Sequence, residues 1–327
     1  MVTSETGVRL FPAFVRQGRN PDRYKVGYIN SRGNVVIRPD FEDGFPFSEG
    51  LAAVRSGRAW GYLDVFGTFV VPAHLESGDC FSEGRAPVLI GRRRGFISRS
   101  GDVAVPPRYN TVGAFTEGLA WVELDEKYGF VDASGREVIL VAYDGARDFT
   151  SGLAPVRTAG KWGYVNREGA VTIPFQFDGI VAGPFRSGLA RVAVGDQWGY
   201  INTSGDLVIA PQFEMAYDFS EGFARVKRDG RSGYCDEHGR VVVPHRFSYS
   251  DDFSEGLAAA KDESGKTGFI DPSGQFIIAP RFTSAGRFRG GLCLVTTDED
   301  VGYIDTSGEF VWSGPFVETP LGFDLRF

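Results

Sequence analysis

Hydrophobic and polar positions recur along the chain with a period of about 34 residues. A Gly followed by Tyr or Phe occurs at Gly27, Gly61, Gly95, Gly129, Gly163, Gly199, Gly233, Gly268 and Gly302, at spacings of 34, 34, 34, 34, 36, 34, 35 and 34. Phe-x-x-Gly begins at Phe47, Phe81, Phe115, Phe149, Phe185, Phe219, Phe253 and Phe288. A further Gly follows each Gly-aromatic by six residues, from Gly33 to Gly308. Three markers kept in phase over nine copies define a repeat architecture, which grows without a single core. The extra residues fall between Phe177 and Phe185 and between Gly256 and Gly268, where loops absorb length changes.

Each copy predicts three short strands. In the first, after Phe-x-x-Gly, the second and fourth positions are small and apolar (Ala52 and Val54, Ala154 and Val156, Ala224 and Val226). Alternate residues share a face, so this face is expected to be buried. The third position varies (Ala53, Pro87, Trp121, Pro155, Arg191, Arg225, Ala259, Leu294) and is expected to point outward. Pro87 and Pro155 lack an N–H and suggest an edge position or an outward N–H. The second strand is the Gly-aromatic segment, whose bare Gly face leaves room for a neighbouring ring or backbone. It ends in Asn or Asp in eight of nine copies, with Ser98 the exception, and the Gly three residues later suits a left-handed turn position. The third strand is a short apolar run such as Val35-Val36-Ile37, expected to be buried on both faces and stopped by Pro. No segment keeps a helical period.

The pattern predicts an all-β chain of nine tandem three-stranded repeats forming an elongated or superhelical array. A repeat of about 34 residues is short against the roughly 40–45 of a four-stranded propeller blade. A closed toroid or propeller-like ring is the alternative. Residues 1–24 are read as an N-terminal cap, 25–313 as the repeat domain and 314–327 as a C-terminal cap or tail, whose apolar residues could pack on the last repeat or on another molecule.

Composition adds 44 Gly and 28 Phe, consistent with many tight turns and an aromatic core. The net charge of −7 does not favour general nucleic-acid binding, although residues 1–110 carry 15 basic against 11 acidic side chains. Cys80, Cys235 and Cys293 are too few and scattered for a disulfide framework, and a reducing, cytoplasmic compartment is the simplest reading. Neither a signal peptide nor a membrane span is expected.

The segments KWGYVNREGAVTIPFQF, QWGYINTSGDLVIAPQF and FSEGLAAV resemble the WG-repeat, or KWG-repeat, family over roughly residues 13–316. Only Trp60, Trp162 and Trp198 keep the Trp before Gly; Val26, Arg94, Tyr128, Ser232, Thr267 and Val301 replace it. The resemblance implies a bacterial-type β-repeat module, standing alone or attached to varied domains. It carries over no catalytic residue.

Candidate chemistry is sparse. His74, His238 and His245 do not recur in the repeat frame. Cys235-x-x-His238 has the spacing of half a metal site, but no second half is visible, so a buried Cys and a turn His are preferred. The recurring Glu49, Glu83, Glu117, Glu221 and Glu255 point to a turn role rather than a catalytic array. No catalytic residue, metal or cofactor is assigned. Arg92-Arg93-Arg94 is read first as a solvated turn and second as an anion or acidic-partner contact. Trp121, Arg191 and Arg225 are the third-position residues most like interface anchors. The expected function is a non-catalytic scaffold for a protein partner, one specific form being a bacterial immunity protein that neutralises a toxin. The alternatives are a secreted effector or enzyme with a site assembled from several repeats, and anion or nucleic-acid binding.

Overall fold

The computed structural model describes residues 9–16, 24–179 and 182–315, and among these residues there is no helix. Nine antiparallel sheets follow one another along the chain, five of four strands and four of three. Sheet 5 shows the plan, with Gly145–Ala146, Leu153–Thr158, Lys161–Asn166 and Val171–Phe177 side by side in that order. The expectation of three strands per repeat missed the short strand that precedes Phe-x-x-Gly. At two residues in four of its five occurrences it is too short to leave a period of its own. Single bridges, Asp178 with Ala193 and Ser250 with Ala260, stand in its place in sheets 6 and 8. In sheet 5 this places the first strand inside the sheet, so the edge position offered for Pro155 does not hold, whereas Arg85–Ile90, which carries Pro87, is an edge strand of sheet 3. The carbonyl of Pro155 accepts the Arg147 N–H at 3.0 Å, and its missing N–H falls on the side of the short strand, which has already ended at Ala146.

The glycine of Gly-aromatic is required by its own sheet. In sheet 5, Trp162 pairs with Phe177 and Tyr164 with Ile173, so two steps along the middle strand face four along the third. The third strand bulges over Gly163, and an added Cβ there would lie 2.7 Å from the Ile173 carbonyl oxygen. The same oxygen lies 2.4 Å from the equivalent position at Gly95 and Gly199, and 2.5–2.6 Å at Gly27, Gly61, Gly129, Gly233, Gly268 and Gly302. Pro174 sits inside the bulge, so proline does not stop this strand as expected but occupies its irregular stretch. The expected burial of the apolar run is also corrected. Val35 and Val36 are 53% and 45% exposed and only Ile37 is buried, because the third strand is the edge of its sheet.

Two compact units are present, Phe81–Arg246 and the pair Met1–Cys80 with Phe247–Phe327. Within each, the repeat markers explain how successive sheets stack. Tyr164 and Ile173 of sheet 5 pack on Ala190, Val192 and Ile201 of sheet 6. Tyr28 and Ile37 of sheet 1 pack in the same way on Ala52, Val54 and Leu63 of sheet 2. The small second and fourth positions of the first strand are therefore buried, as expected, because they receive the ring of the preceding sheet. The Phe of Phe-x-x-Gly closes the contact edge-on, with ring centroids 4.8 Å apart for Phe130 and Phe149 and 4.9 Å for Tyr28 and Phe47. Each fully buried ring contributes roughly 2–3 kcal/mol of transfer free energy.

The chain ends correct the larger expectation. Leu10–Arg16 pairs with Tyr24–Asn30 as the first strand of sheet 1, with Ala13 opposite Gly27, so these residues are sheet rather than cap. Gly314 and Pro315 lie in the last strand, Phe310–Pro315. The rest of the assigned caps, 1–8, 17–23 and 316–327, falls outside the described residues. Inside one unit the Tyr303 hydroxyl donates to the Pro12 carbonyl at 3.0 Å, and Phe11 and Tyr303 pack with centroids 5.5 Å apart. Repeats at opposite ends of the sequence are thus in contact, which an elongated or superhelical array does not allow. The propeller-like alternative is the one that fits.

The turns follow the sequence closely. Asn30 Oδ1 accepts the Arg32 and Asn34 N–H groups, and Asp132 Oδ1 accepts those of Ser134 and Arg136. In the Phe-x-x-Gly turn, Glu49 and Gly50 both have positive φ, 52° and 78°, as a two-residue hairpin turn of type I′ demands.

Gly163→Val is expected to lower stability by on the order of 3 kcal/mol, because the added atoms meet backbone that cannot rotate away. Thr158→Val, at the nearby hairpin end, is expected to change it by less than about 0.5 kcal/mol. Denaturant melts with equal midpoints for the two variants would refute the packing assigned to Gly163. A second prediction concerns acid. Hydrogen bonds from the Ser134, Ser273 and Ser307 hydroxyls hold the Asp132, Asp271 and Asp305 carboxyls below their ordinary pKa, for Asp132 at about 2. Such groups contribute stability that is complete above their unfolded pKa and is lost as pH falls toward the folded value. Replacing all three by Asn, which serves as the acceptor at Asn30, Asn166 and Asn202, should shrink the fall in Tm between pH 4 and pH 2. An unchanged pH dependence counts against these three turns as acid-sensitive elements.

Candidate functional site

The third position of the first strand varies along the sequence, yet it does not form an outward surface. Ala53 and Ala259 are buried, Arg225 is buried, and Trp121 and Arg191 are half-buried. Each faces the residue eight positions earlier, across the hairpin with the short strand. The pairs Phe45 with Ala53, Arg147 with Pro155 and Asp251 with Ala259 put a large residue beside a small one, joined by backbone hydrogen bonds of 2.8–3.0 Å. Gly113 with Trp121, Gly183 with Arg191 and Gly286 with Leu294 reverse the order at the same distances of 2.9–3.0 Å. The volumes are exchanged across the pair. A Cβ on Gly113 would lie 2.1 Å from the Trp121 indole nitrogen, and one on Gly183 would lie 2.6 Å from Arg191 Cγ. Close packing in an interior disfavours two large side chains at one such pair.

This corrects the outward placement of Trp121, Arg191 and Arg225. The Trp121 ring lies 5.9 Å from that of Tyr128, and its N–H donates to Asp148. Burial raises the pKa of the Asp148 carboxyl and that hydrogen bond opposes the rise. Arg191 Nε is 2.8 Å from Asp218 Oδ1, and its Nη1 donates to the Ala216 carbonyl at 3.0 Å. The Arg225 guanidinium lies 3.6 Å from the centre of the Tyr217 ring, with Arg191 5.9 Å from that ring. Arg191 and Arg225 are therefore brought together, but around Tyr217. The pair Tyr217 and Arg225 is the one in which two large residues meet, and they do so by stacking. The signal that could have revealed all this is the residue eight places upstream.

The arginine run divides. Arg92 is exposed at the hairpin tip, Arg94 is half-buried, and Arg93 donates to Asn110 Oδ1. The Arg93 contact repeats a tie that Lys25 makes to Glu42 at 2.8 Å and Lys127 to Asp144 at 2.6 Å. The same carboxylates also accept a hairpin N–H, from Gly57 and Ala159. Arg93 thus has a structural role, and only Arg92 keeps the solvated character expected of the run.

Cys235 is buried, with its thiol pKa pushed up to about 12 by burial, while His238 is exposed in the following turn. His74 is exposed, and His245 is half-buried with its ring centroid 6.4 Å from that of Phe213. Among the described residues no three His, Cys, Asp or Glu side chains converge as a metal site. The recurring turn glutamates do more than turn the chain. Glu83 accepts the Gly118 N–H at 2.7 Å, Glu117 that of Gly152 at 2.9 Å and Glu255 that of Gly291 at 2.8 Å, so each turn carboxylate clasps the next turn. Exposed apolar residues recur at one place in the repeat. They sit at the first two residues of edge strands, such as Val171, Leu207, Val208, Val241 and Val242 in one unit.

Similar folds occur in solved structures. A eukaryotic initiation factor matches with a TM-score of 0.65 and 12% identity, over 95% of this chain and 97% of that one. The dihydro-heme d1 dehydrogenase NirN matches at 0.49 and 12%, over 99% and 83%. Kluyveromyces lactis Hsv2p matches at 0.42 and 9%, over 70% and 92%. At such identities the likeness concerns the fold alone. No curated protein matches the sequence.

The exchange of volumes gives a direct test. Trp121→Ala and Gly113→Phe should each lower Tm, and together they should recover much of the loss by recreating the pairing of Phe45 with Ala53. The coupling energy is expected at about 1–2 kcal/mol. Strictly additive losses would show that the two positions do not pack as a pair.

The model of the WG containing repeat matches residues 27–57, 60–92, 95–128, 128–162, 162–198, 198–231, 233–266 and 268–299. With the markers, register and packing repeated over these same spans, the chain belongs to the WG-repeat family.

Proposed function

We propose that the protein is a non-catalytic scaffold that binds a protein partner through the exposed apolar positions of its edge strands. The observation that carries this reading is the repetition of that exposure. Leu207 and Val208 are 52% and 44% exposed, and in the other unit Ile277 is 56% exposed. Scattered apolar residues are ordinary on a surface, but a pair repeated at the same strand positions forms a band of the kind that marks interaction sites. The non-catalytic part is supported by the use made of the polar groups. The turn carboxylates, the Asx side chains, Arg191, Arg225 and Arg287 are engaged in contacts that hold the repeats. Toxin neutralisation is one instance of such binding.

The test begins with co-purification from the native cell and identification of partners by mass spectrometry. The double variant Leu207→Glu, Val208→Glu should then weaken the purified pair by about 2 kcal/mol, near thirtyfold. Its melting curve should stay close to that of the parent, since neither side chain is packed. Unaltered affinity of every captured partner for this variant and for the matching Val35→Glu, Val36→Glu variant would remove the edge-strand band as the binding surface.

A further inference from the structure

Sheet 3 departs from its sister sheets at the hairpin that joins Arg85–Ile90 to Arg93–Ser98. The tip is Gly91-Arg92, and Arg93 and Arg94 follow it opposite Ile90 and Leu89. Arg94 takes the place before the Gly-aromatic pair, where every other copy has an uncharged residue such as Trp162, Tyr128 or Thr267. Trp162 is buried there, whereas Arg94 is half-buried and among the described residues makes no hydrogen bond or ion pair. A guanidinium is costly to bury without a partner, so Arg94 keeps its charged head at the surface of the tip. Arg92 is exposed and likewise makes no hydrogen bond or ion pair among the described residues. The carboxylate that offsets such charge in other copies is replaced. After the third strand five copies carry Glu or Asp, of which Asp144 pairs with Lys127 at 2.6 Å. Sheet 3 carries Asn110 there, and Arg93 donates to its neutral Oδ1. The two acidic residues between 81 and 110 are held elsewhere, Glu83 by the Gly118 N–H at 2.7 Å and Asp102 by the Ser100 hydroxyl at 2.6 Å. Residues 81–110 carry six basic and two acidic side chains, against 14 and 18 over residues 111–246, so the positive charge is local to this sheet.

We infer that this hairpin tip is a docking surface for an acidic polypeptide segment, whose Asp or Glu side chains pair with Arg92 and Arg94. Guanidinium groups take carboxylates by paired charge-assisted hydrogen bonds, and Arg is prominent among the residues that anchor protein interfaces. The backbone keeps the donors close, since Arg92 and Arg94 are two residues apart and their Cα atoms are at most about 7 Å from one another. Ile90, 38% exposed and opposite Arg93, adds apolar contact beside the charges. The surface suits a polypeptide better than a nucleic acid. Its charge is confined to one copy of the repeat rather than spread as a stripe. The aromatic residues of the sheet, Phe96 and Tyr109, are buried and offer no ring on which a base could stack. The inference uses this hairpin and does not rest on the edge-strand band.

A labelled oligoglutamate peptide and an oligothymidylate of matching charge, each titrated at low ionic strength into the full-length protein, test the surface. The peptide should bind more tightly than the oligonucleotide, and its affinity should fall as salt is added. Arg92→Gln with Arg94→Gln should weaken the peptide about tenfold or more, in line with the loss of charge-assisted hydrogen bonds. Arg136→Gln with Arg167→Gln removes the same charge from two exposed turn positions of the same unit and should leave the affinity nearly unchanged. A single Arg92→Gln variant, on an exposed side chain, keeps the test valid if the double variant is unstable, and it should also weaken the peptide. Absence of peptide binding, tighter binding of the oligothymidylate, equal weakening by the Arg136 and Arg167 pair, or unchanged affinity of the Arg92→Gln protein overturns the surface.

Discussion

The approach of the third strand's backbone to a bare glycine underlies the rest of the fold. At Gly163 and its eight counterparts a carbonyl oxygen occupies the space that a side chain would need. In sheet 9 Gly302 stays in register with Ser313, whereas in sheets 1–6 and 8 the third strand bulges at this point. That bend turns Ile173 toward the following sheet while leaving Val171 at the open edge. The aromatic residue beside the glycine points the other way in the sheet's frame and is fully buried. A single residue without a Cβ therefore sets both the shape of the sheet and the side chains with which it meets its neighbour.

Stacking follows from complementary size. Rings and branched aliphatics of one sheet meet the Ala and Val face of the next, and the Phe of the connecting turn fills the remaining corner. Polar groups supplement this without crossing the apolar layer. Tyr164 and Tyr200 bury their rings but send their hydroxyls to the carbonyls of Gly183 and Tyr217. The turn glutamates then join successive turns along the chain. These buried hydroxyls are thus given partners by the repeat itself.

Much of this was legible in the sequence. The repeat length, the number of copies, the turn glycines, the Asx acceptors and the buried small face all follow from spacing and alternation. Three features were not. The two-residue strand at Gly145–Ala146 is too short for a periodicity argument. The apolar run Val35-Val36-Ile37 looked doubly buried because hydrophobicity alone does not distinguish an inner strand from an edge strand. The third position of the first strand looked like a specificity surface because it varies. Variation at Trp121 and Arg191 instead follows the size of Gly113 and Gly183, a dependence that is invisible when each column of the repeat is read alone. The meeting of Tyr303 with Pro12 lay beyond any local pattern, since it joins residues at opposite ends of the chain.

The exchange of large and small residues across eight positions has a consequence for how such a chain can diversify. Both partners of each exchange lie in one continuous hairpin, so a copy carries its own compensation with it. A genetic crossover that falls between copies keeps Gly113 with Trp121, or Phe45 with Ala53, and preserves that local fit. A crossover inside the hairpin can unite Phe45 with Trp121 or Gly113 with Ala53, producing a clash in one product and a void in the other. The heritable unit of variation is therefore the whole hairpin, and its seams are the loops at which the repeats already tolerate extra residues.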